Sequence, residues 1–237
     1  MKCKHYRHGT HKTLVAVPMN IQPNIIATLK SKEFQDIIVD ISETTIDALL
    51  TDGLIKDVPI FGLLFKGTNL ISNIQDKLFL KKLLKFLKQL EDTTPKQRIE
   101  QISKIEQNIK YRISIGEKIM YLIDKCEDSE KAEILGVLFK SFILEEIDYD
   151  DLIRCTNSIN SISSFDLEEF VKKDAFIEAF IGSKANIYLN TGLVTFKLKS
   201  NLSTKARALN TKDIEVIYSP SALGKLLKSI LKKHYIS

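Results

Sequence analysis

Cys3, His5, His8 and His11 place four nitrogen and sulfur donors within nine residues, and they include three of the chain's four histidines. Zinc is held by such donors, and a three-residue step would put His8 and His11 on one helical face. Gly9 interrupts a helix there, and no carboxylate accompanies the set. A basic, loosely ordered arm fits these residues better than a metal centre. The second concentration of donors is acidic: Glu145, Glu146, Asp148, Asp150 and Asp151. Calcium loops alternate oxygen ligands around a glycine and close on a bidentate Glu. This run has neither the glycine nor the closing Glu, and Asp148, Asp150 and Asp151 suit the positive N-terminal end of a helix. No metal and no cofactor is expected at either place.

Catalysis has little else to work with. There is no GxxxxGK(S/T) phosphate loop, no GxGxxG after a strand, no HExxH and no GxSxG. His234 is the one histidine outside the N-terminal arm, so a Ser–His or Cys–His pair would have to use a residue beside the C-terminus. A nuclease centre of spaced carboxylates and lysine needs no fixed motif, but such centres usually sit on strands, and the pattern offers a single hairpin. Cys3, Cys126 and Cys155 form no paired framework and no CxxC, which fits a reducing cytoplasm. The side chains point to binding, not to an enzyme.

Charge is distributed unevenly over the chain. The net charge is +5, yet residues 101–180 carry 10 basic and 17 acidic side chains, and residues 181–237 carry 10 and 2. Lys197, Lys199, Lys205, Arg207 and Lys212 surround a polar loop with Ser200, Asn201, Ser203 and Thr204. Such a set suits phosphates or an acidic protein surface. Reading a DNA sequence also requires a helix with polar side chains on its outer face. The candidate, DAFIEAFIGSKANIY at 174–188, offers Asp174 and Glu178 and neither Arg nor Gln, so a protein contact or a solvated loop is favoured. Lys77, Lys81, Lys85 and Lys88 line one side of Asp76–Leu90, with Phe79, Leu80, Leu83, Leu87 and Leu90 on another. That stripe suits an anionic membrane surface or a partner. A bundle helix with buried leucines and solvated lysines is the simpler expectation.

These residues must be positioned by a mainly helical chain. Only 9 Gly and 5 Pro stand among 237 residues rich in Ile, Leu and Lys, which favours helices over a turn-rich β-fold. The Ile, Lys and Asn richness also resembles the product of an AT-rich bacterial genome. No apolar run reaches the roughly 20 residues of a spanning helix, and none follows Lys2, Lys4 and Arg7 before Pro18 as a signal peptide would. A cytoplasmic protein, at most peripheral to the inner membrane, is expected.

Residues 1–23 read as an irregular basic arm containing Pro18 and Pro23. Apolar residues then recur at helical steps from Asn24 to Leu50, and Asp52-Gly53 supplies a stop. Ile60–Ile74, with Gly62 and Gly67, is expected to be the most buried helix. Thr94-Pro95-Lys96-Gln97 supplies an N-cap, a first-turn proline and the partner residue of a capping box. The helix it opens is expected to reach about Lys125, roughly 40 Å or more, as a spine. Ser129 is expected to cap a helix through Leu144, with further starts at Ile147-Asp148, at Ser164 and Asp166, and at Asp174. The period then changes to two in Leu193–Leu198 and Asp213–Tyr218. Ser219-Pro220 opens a last amphipathic helix with Leu223, Leu226, Leu227, Ile230 and Leu231 inward.

Short helices, Thr191-Gly192-Leu193-Val194, a strand, a basic loop, a second strand and Ser219-Pro220-Ser221-Ala222-Leu223-Gly224 together resemble a winged-helix domain, over roughly 145–237. The resemblance implies a glycine turn into a wing and a Ser-Pro step into the next helix. From Pro59 to about Phe170 the chain resembles uncharacterised bacterial helical proteins, some with winged-helix-like ends, and abortive-infection proteins of the Abi-alpha type. Asp57–Gly62 (DVPIFG), Phe79–Leu87 and Glu130-Lys131-Ala132 carry that likeness. It implies a role in phage defence and brings no catalytic motif.

The expected fold is therefore mainly α: an arm (1–23), a helical bundle (24–144) and a small winged-helix-like α+β module with one β-hairpin (145–237). The expected function is a non-enzymatic interaction protein of phage defence. Its partners would be another protein, a second copy of itself, or an anionic membrane surface. A winged-helix DNA-binding regulator is the alternative. No small-molecule substrate is evident.

Overall fold

The computed structural model describes residues 22–32, 34–43, 74–108, 115–172, 185–200 and 214–235. They form α1 (Gln22–Lys30), α2 (Phe34–Glu43), α3 (Ile74–Lys88), α4 (Pro95–Glu106), α5 (Ile115–Lys125), α6 (Ser129–Ile143), α7 (Tyr149–Asn160) and α8 (Ser164–Lys172). Residues 185–190 are helical. β1 (Val194–Ser200), β2 (Ile214–Pro220) and α9 (Ala222–His234) follow. The strands pair antiparallel, Val194 opposite Pro220 and Ser200 opposite Ile214. The architecture is a helical body with a small α+β part near the C-terminus, in agreement with the sequence pattern.

The segment SEKAEILGVLFKSFI is apolar on more than one face, so the helix it forms must be surrounded. α6 is accordingly buried along its length and contacts α3, α7 and α9. Its approach to α3 needs Gly136, where a Cβ would stand 2.6 Å from the Phe86 carbonyl oxygen and 2.9 Å from Cβ of Gln89. Beside that contact the Phe86 and Phe139 rings meet at 5.5 Å. α3 turns Leu80, Leu83, Leu84, Phe86 and Leu87 inward, so its leucine face belongs to the core. One apolar core runs from Ile25 in α1 to Leu231 in α9, and packing continues across Leu144 because α6 touches both α7 and α9.

α4 starts as its sequence dictates. Thr94 accepts from the Gln97 N–H, the Gln97 side chain accepts from the Thr94 N–H, and Pro95 occupies the first turn. This start places Arg98, fully buried, at the centre of a joint. Its Nε donates to the Leu29 carbonyl at 2.6 Å, Nη1 to the carbonyl and hydroxyl of Thr93, and Nη2 to the Ser31 carbonyl at 3.4 Å. The guanidinium lies 4.2 Å from the centroid of the Phe34 ring. Leu29 and Ser31 are carbonyls at the end of α1 that no helical N–H can satisfy, and their partial negative charge suits a cation. Burial lowers the Arg98 pKa to about 10, so it remains charged at neutral pH.

Four boundaries differ from the expectation. The helix from Pro95 does not continue to Lys125: it stops at Glu106, with Gln107 as its C-cap, and Asn108 is not helical. The reason is packing. α4 buries Ile102 and Ile105 while α5 buries Ile115, Ile119, Met120, Leu122 and Ile123, and a break lets both halves lie against α1. Asp128, not Ser129, caps α6, its carboxylate accepting from the Lys131 N–H at 2.8 Å. Ser219 and Pro220 end β2, and Ser221 caps α9. α1 begins at Gln22, with Pro23 in the first turn where its missing N–H costs nothing. The residues of the expected helix before Ile74 and the residues 1–21 lie outside the described set.

Arg98→Met keeps much of the side chain's volume and removes every donor. It should lower unfolding free energy by about 3 kcal/mol in urea titrations, because several buried carbonyls lose their partner. Arg98→Lys keeps the charge without the fork and should fall between Arg98→Met and the wild type.

Candidate functional site

The hairpin is fixed at its base and uncovered beyond it. Ser158 of α7 donates to the Thr191 carbonyl at 2.6 Å, and Thr191 Oγ1 donates to the Tyr188 carbonyl at 2.9 Å. Tyr188 is itself buried, its ring 5.5 Å from that of Phe170 in α8. Gly192 makes the turn at φ +74°. The Leu193 carbonyl then accepts from the Ser221 N–H at 3.0 Å. Ser221 accepts from the Gly224 N–H at 2.9 Å and donates its hydroxyl to the Gly192 carbonyl at 2.6 Å. Gly224 is the tightest point of the joint: a Cβ there would lie 2.0 Å from the Leu193 carbonyl oxygen and 3.1 Å from the Phe170 ring. α7, α8 and α9 thus all hold the two strand ends.

From Thr195 to Lys199 every residue is exposed, so neither face of β1 is covered by the described residues. Register pairs Phe196 with Tyr218 and Leu198 with Val216, which puts these four side chains on one face of the pleat. The Phe196 and Tyr218 rings lie 6.4 Å apart. Phe196 is 51% exposed, Leu198 64% and Val216 42%. Lys197 and Lys199 occupy the other face, opposite Ile217 and Glu215. Charge along the sequence singles out Lys197, Lys199, Lys205, Arg207 and Lys212, and not the apolar face opposite the two strand lysines. Alternation in VTFKLKS against IEVIYSP was the signal available. Lys205, Arg207 and Lys212 lie outside the described residues, as does most of the helix expected from Asp174.

Several of the remaining candidates make contacts within the fold. Lys85 pairs with Glu133 at 2.6 Å, Lys81 and Lys88 are half-buried, and Lys77 is exposed. The neighbouring Lys82, absent from the sequence reading, donates to the Cys126 and Asp124 carbonyls at the end of α5. Leu80, Leu83, Leu84 and Leu87, which share α3 with these lysines, lie in the core. In the acidic run, Glu145 holds Gln101 and Lys104 of α4, while Asp148 caps α7, with Asp150 and Asp151 in its first turn. Glu145 has φ +61°, the left-handed position at a helix end where Gly is usual. Glu146 binds Lys233 at 2.5 Å and His234 at 2.9 Å, tying down the end of α9. Among the described residues no group of three or more His, Cys, Asp or Glu is arranged to hold a metal ion. Cys3, His5, His8 and His11 lie outside them.

Compared with protein-family models, with curated proteins and with solved structures, the chain matches none. Among the described residues no helix is long and apolar enough to cross a membrane. The site must therefore be argued from its own geometry.

Gly224→Ala should force the α9 start away from Leu193, costing about 2 kcal/mol in urea unfolding. Amide exchange at Ser221 and Leu193 should quicken with it, while exchange in α3 and α4 stays at its wild-type rate. A second expectation concerns pH. Burial pushes the Glu146 carboxyl up, but hydrogen bonds from Lys233 and His234 outweigh it and take it down to about 2. A carboxyl held below its ordinary value contributes stability above pH 4.5 that is lost as pH falls towards 2. Glu146→Gln should therefore be less stable at neutral pH and show a flatter acid-unfolding limb between those values.

Proposed function

We propose that this chain is a non-enzymatic interaction protein that engages a partner through its C-terminal hairpin, in the setting of phage defence. The observation that carries the interaction role is the exposed apolar face of Phe196, Leu198 and Val216 on a base held by three helices. Contiguous exposed apolar side chains on a rigid support are typical of contact surfaces. An isolated two-stranded hairpin is only marginally stable in water, so the investment of Ser158, Ser221 and Gly224 in its base supports a role for its shape. The defence setting rests on the resemblance of the stretch from Pro59 to about Phe170 to abortive-infection proteins.

The second reading, a winged-helix DNA-binding regulator, is favoured by Lys197 and Lys199 on the opposite strand face. An apolar outer face contributes nothing to phosphate binding, which places the protein reading first.

Capture of tagged protein from its host, with and without phage and after nuclease treatment, tests both. Phe196→Asp/Leu198→Asp should reduce the co-purifying protein at least about tenfold, as expected when two anchor side chains are lost. Recovery that is abolished by nuclease, unaffected by the aspartates and lost in Lys197→Ala/Lys199→Ala would instead support the regulator. The defence setting predicts that deleting the gene raises phage plating efficiency, and unchanged plating would remove it.

A further inference from the structure

Among the described residues β1 has β2 on one side and no strand on the other. Its outward backbone groups follow from the register. Pro220 has no N–H, so Val194 and Pro220 cannot be a bonding pair, and the Ser221 N–H reaches the Leu193 carbonyl at 3.0 Å. Bonding and non-bonding pairs alternate along an antiparallel ladder. Thr195, Lys197 and Lys199 therefore bond to β2, while the N–H and carbonyl groups of Phe196 and Leu198 point away from it. Among the described residues no hydrogen bond takes up those outward groups. Residues 195–199 are exposed, whereas residues 217–220 are half-buried and β2 lies against α9. The free edge is thus that of β1, and a free edge is a template for another strand.

The side chains beside that edge set what the strand must carry. A strand added there lies next to both faces of the pleat at once. Its residues on one face extend the row of Phe196 and Leu198, and those between them come beside Lys197 and Lys199. β2 shows what β1 accepts on its other side: Tyr218 stands opposite Phe196, Val216 opposite Leu198 and Glu215 opposite Lys199. Lys197 stands opposite Ile217 and has no acidic residue across from it on β2. The lysines also make the edge selective, because a second β1 would set lysines beside lysines. We propose that β1 accepts an extended segment of another protein in which apolar and acidic residues alternate. Hydrogen bonds to the Phe196 and Leu198 backbone hold the segment, and its carboxylates lie beside Lys197. The inference rests on the hairpin being a contact element and adds how the partner is held and what it must carry.

Synthetic peptides test this on the full chain by fluorescence anisotropy. One alternates valine and glutamate, a second alternates valine and lysine, and a third has the valines and glutamates in separate blocks. The first should bind with a Kd below about 1 mM, at least about tenfold more tightly than the other two. Lys197→Glu should reverse the preference towards the lysine peptide. Leu198→Pro removes an outward N–H without touching the ladder to β2 and should weaken the first peptide about tenfold, whereas Leu198→Val keeps that N–H and should not. Thermal melts close to wild type establish that the variants fold, and if Leu198→Pro does not, the reversal by Lys197→Glu decides. No binding of the alternating acidic peptide, equal binding of the blocked one, a preference unmoved by Lys197→Glu, or full binding by folded Leu198→Pro overturns the proposal. If the peptides fail while Phe196→Asp/Leu198→Asp still loses its partner from host extract, the hairpin remains a contact element and only the strand addition is wrong.

Discussion

The described structure depends first on one buried cation. Among the described residues Arg98 has no carboxylate partner, and its charge is met by carbonyls at the end of α1 and in the turn before α4, with the Phe34 ring against it. A guanidinium suits this place because its planar fork donates in several directions at once and is less strongly hydrated than an ammonium. The arrangement joins the end of α1 and the start of α2 to the α3–α4 turn, Leu29 and Arg98 standing 69 residues apart in sequence. Taking a charge from water is costly, and it persists only where its donors are satisfied. That requirement makes the joint specific, since an apolar side chain of the same volume would fill the space without dictating which carbonyls converge on it.

The same logic recurs at smaller scale around α6. Lys82 reaches the carbonyls at the end of α5, and buried Lys131 reaches out to Glu127 at 2.8 Å. Lys140 pairs with Asp92, and Glu145 with Lys104. Long cationic side chains thus close helix ends and neighbouring turns while their stems cover apolar surface. Individually the exposed pairs contribute little.

Much of the fold was legible because local rules and tertiary packing agree there. The Thr94–Gln97 start, the Asp148 start, the hairpin and the apolar stripe of α9 follow from spacing alone. The failed spine shows where they part. Ile99, Ile102 and Ile105 continue the period, yet Ile99 is 43% exposed, and the chain turns after Glu106 so that α4 and α5 can both reach α1. Periodicity cannot register a partner that lies seventy residues away. Arg98 and Lys131 were missed for a related reason. Both fall on apolar stripes, at the steps of Ile102 and Ile105 and of Leu135 and Leu138, where Arg98 meets internal carbonyls and Lys131 reaches out to an exposed Glu127. At the hairpin, the lysines drew attention by charge, whereas the exposed apolar face became visible only once register and burial were known.

The reactive groups among the described residues are held within the fold. Burial raises the Cys126 thiol to about 11 against the opposing charges of Lys82 and Lys131, and raises Cys155 to about 12. Neither supplies a thiolate at neutral pH. Glu145, Glu146 and Asp148 each hold a helix or cap one, and His234 is tied to Glu146. These four described groups, of kinds that elsewhere move protons, are here engaged in fixing helix ends. A fold that uses its ionisable side chains internally presents a different resource outward: the shape and apolar face of a hairpin whose two ends it holds rigidly. A surface held in this way need not order on contact, and ordering on contact is what costs a flexible loop affinity.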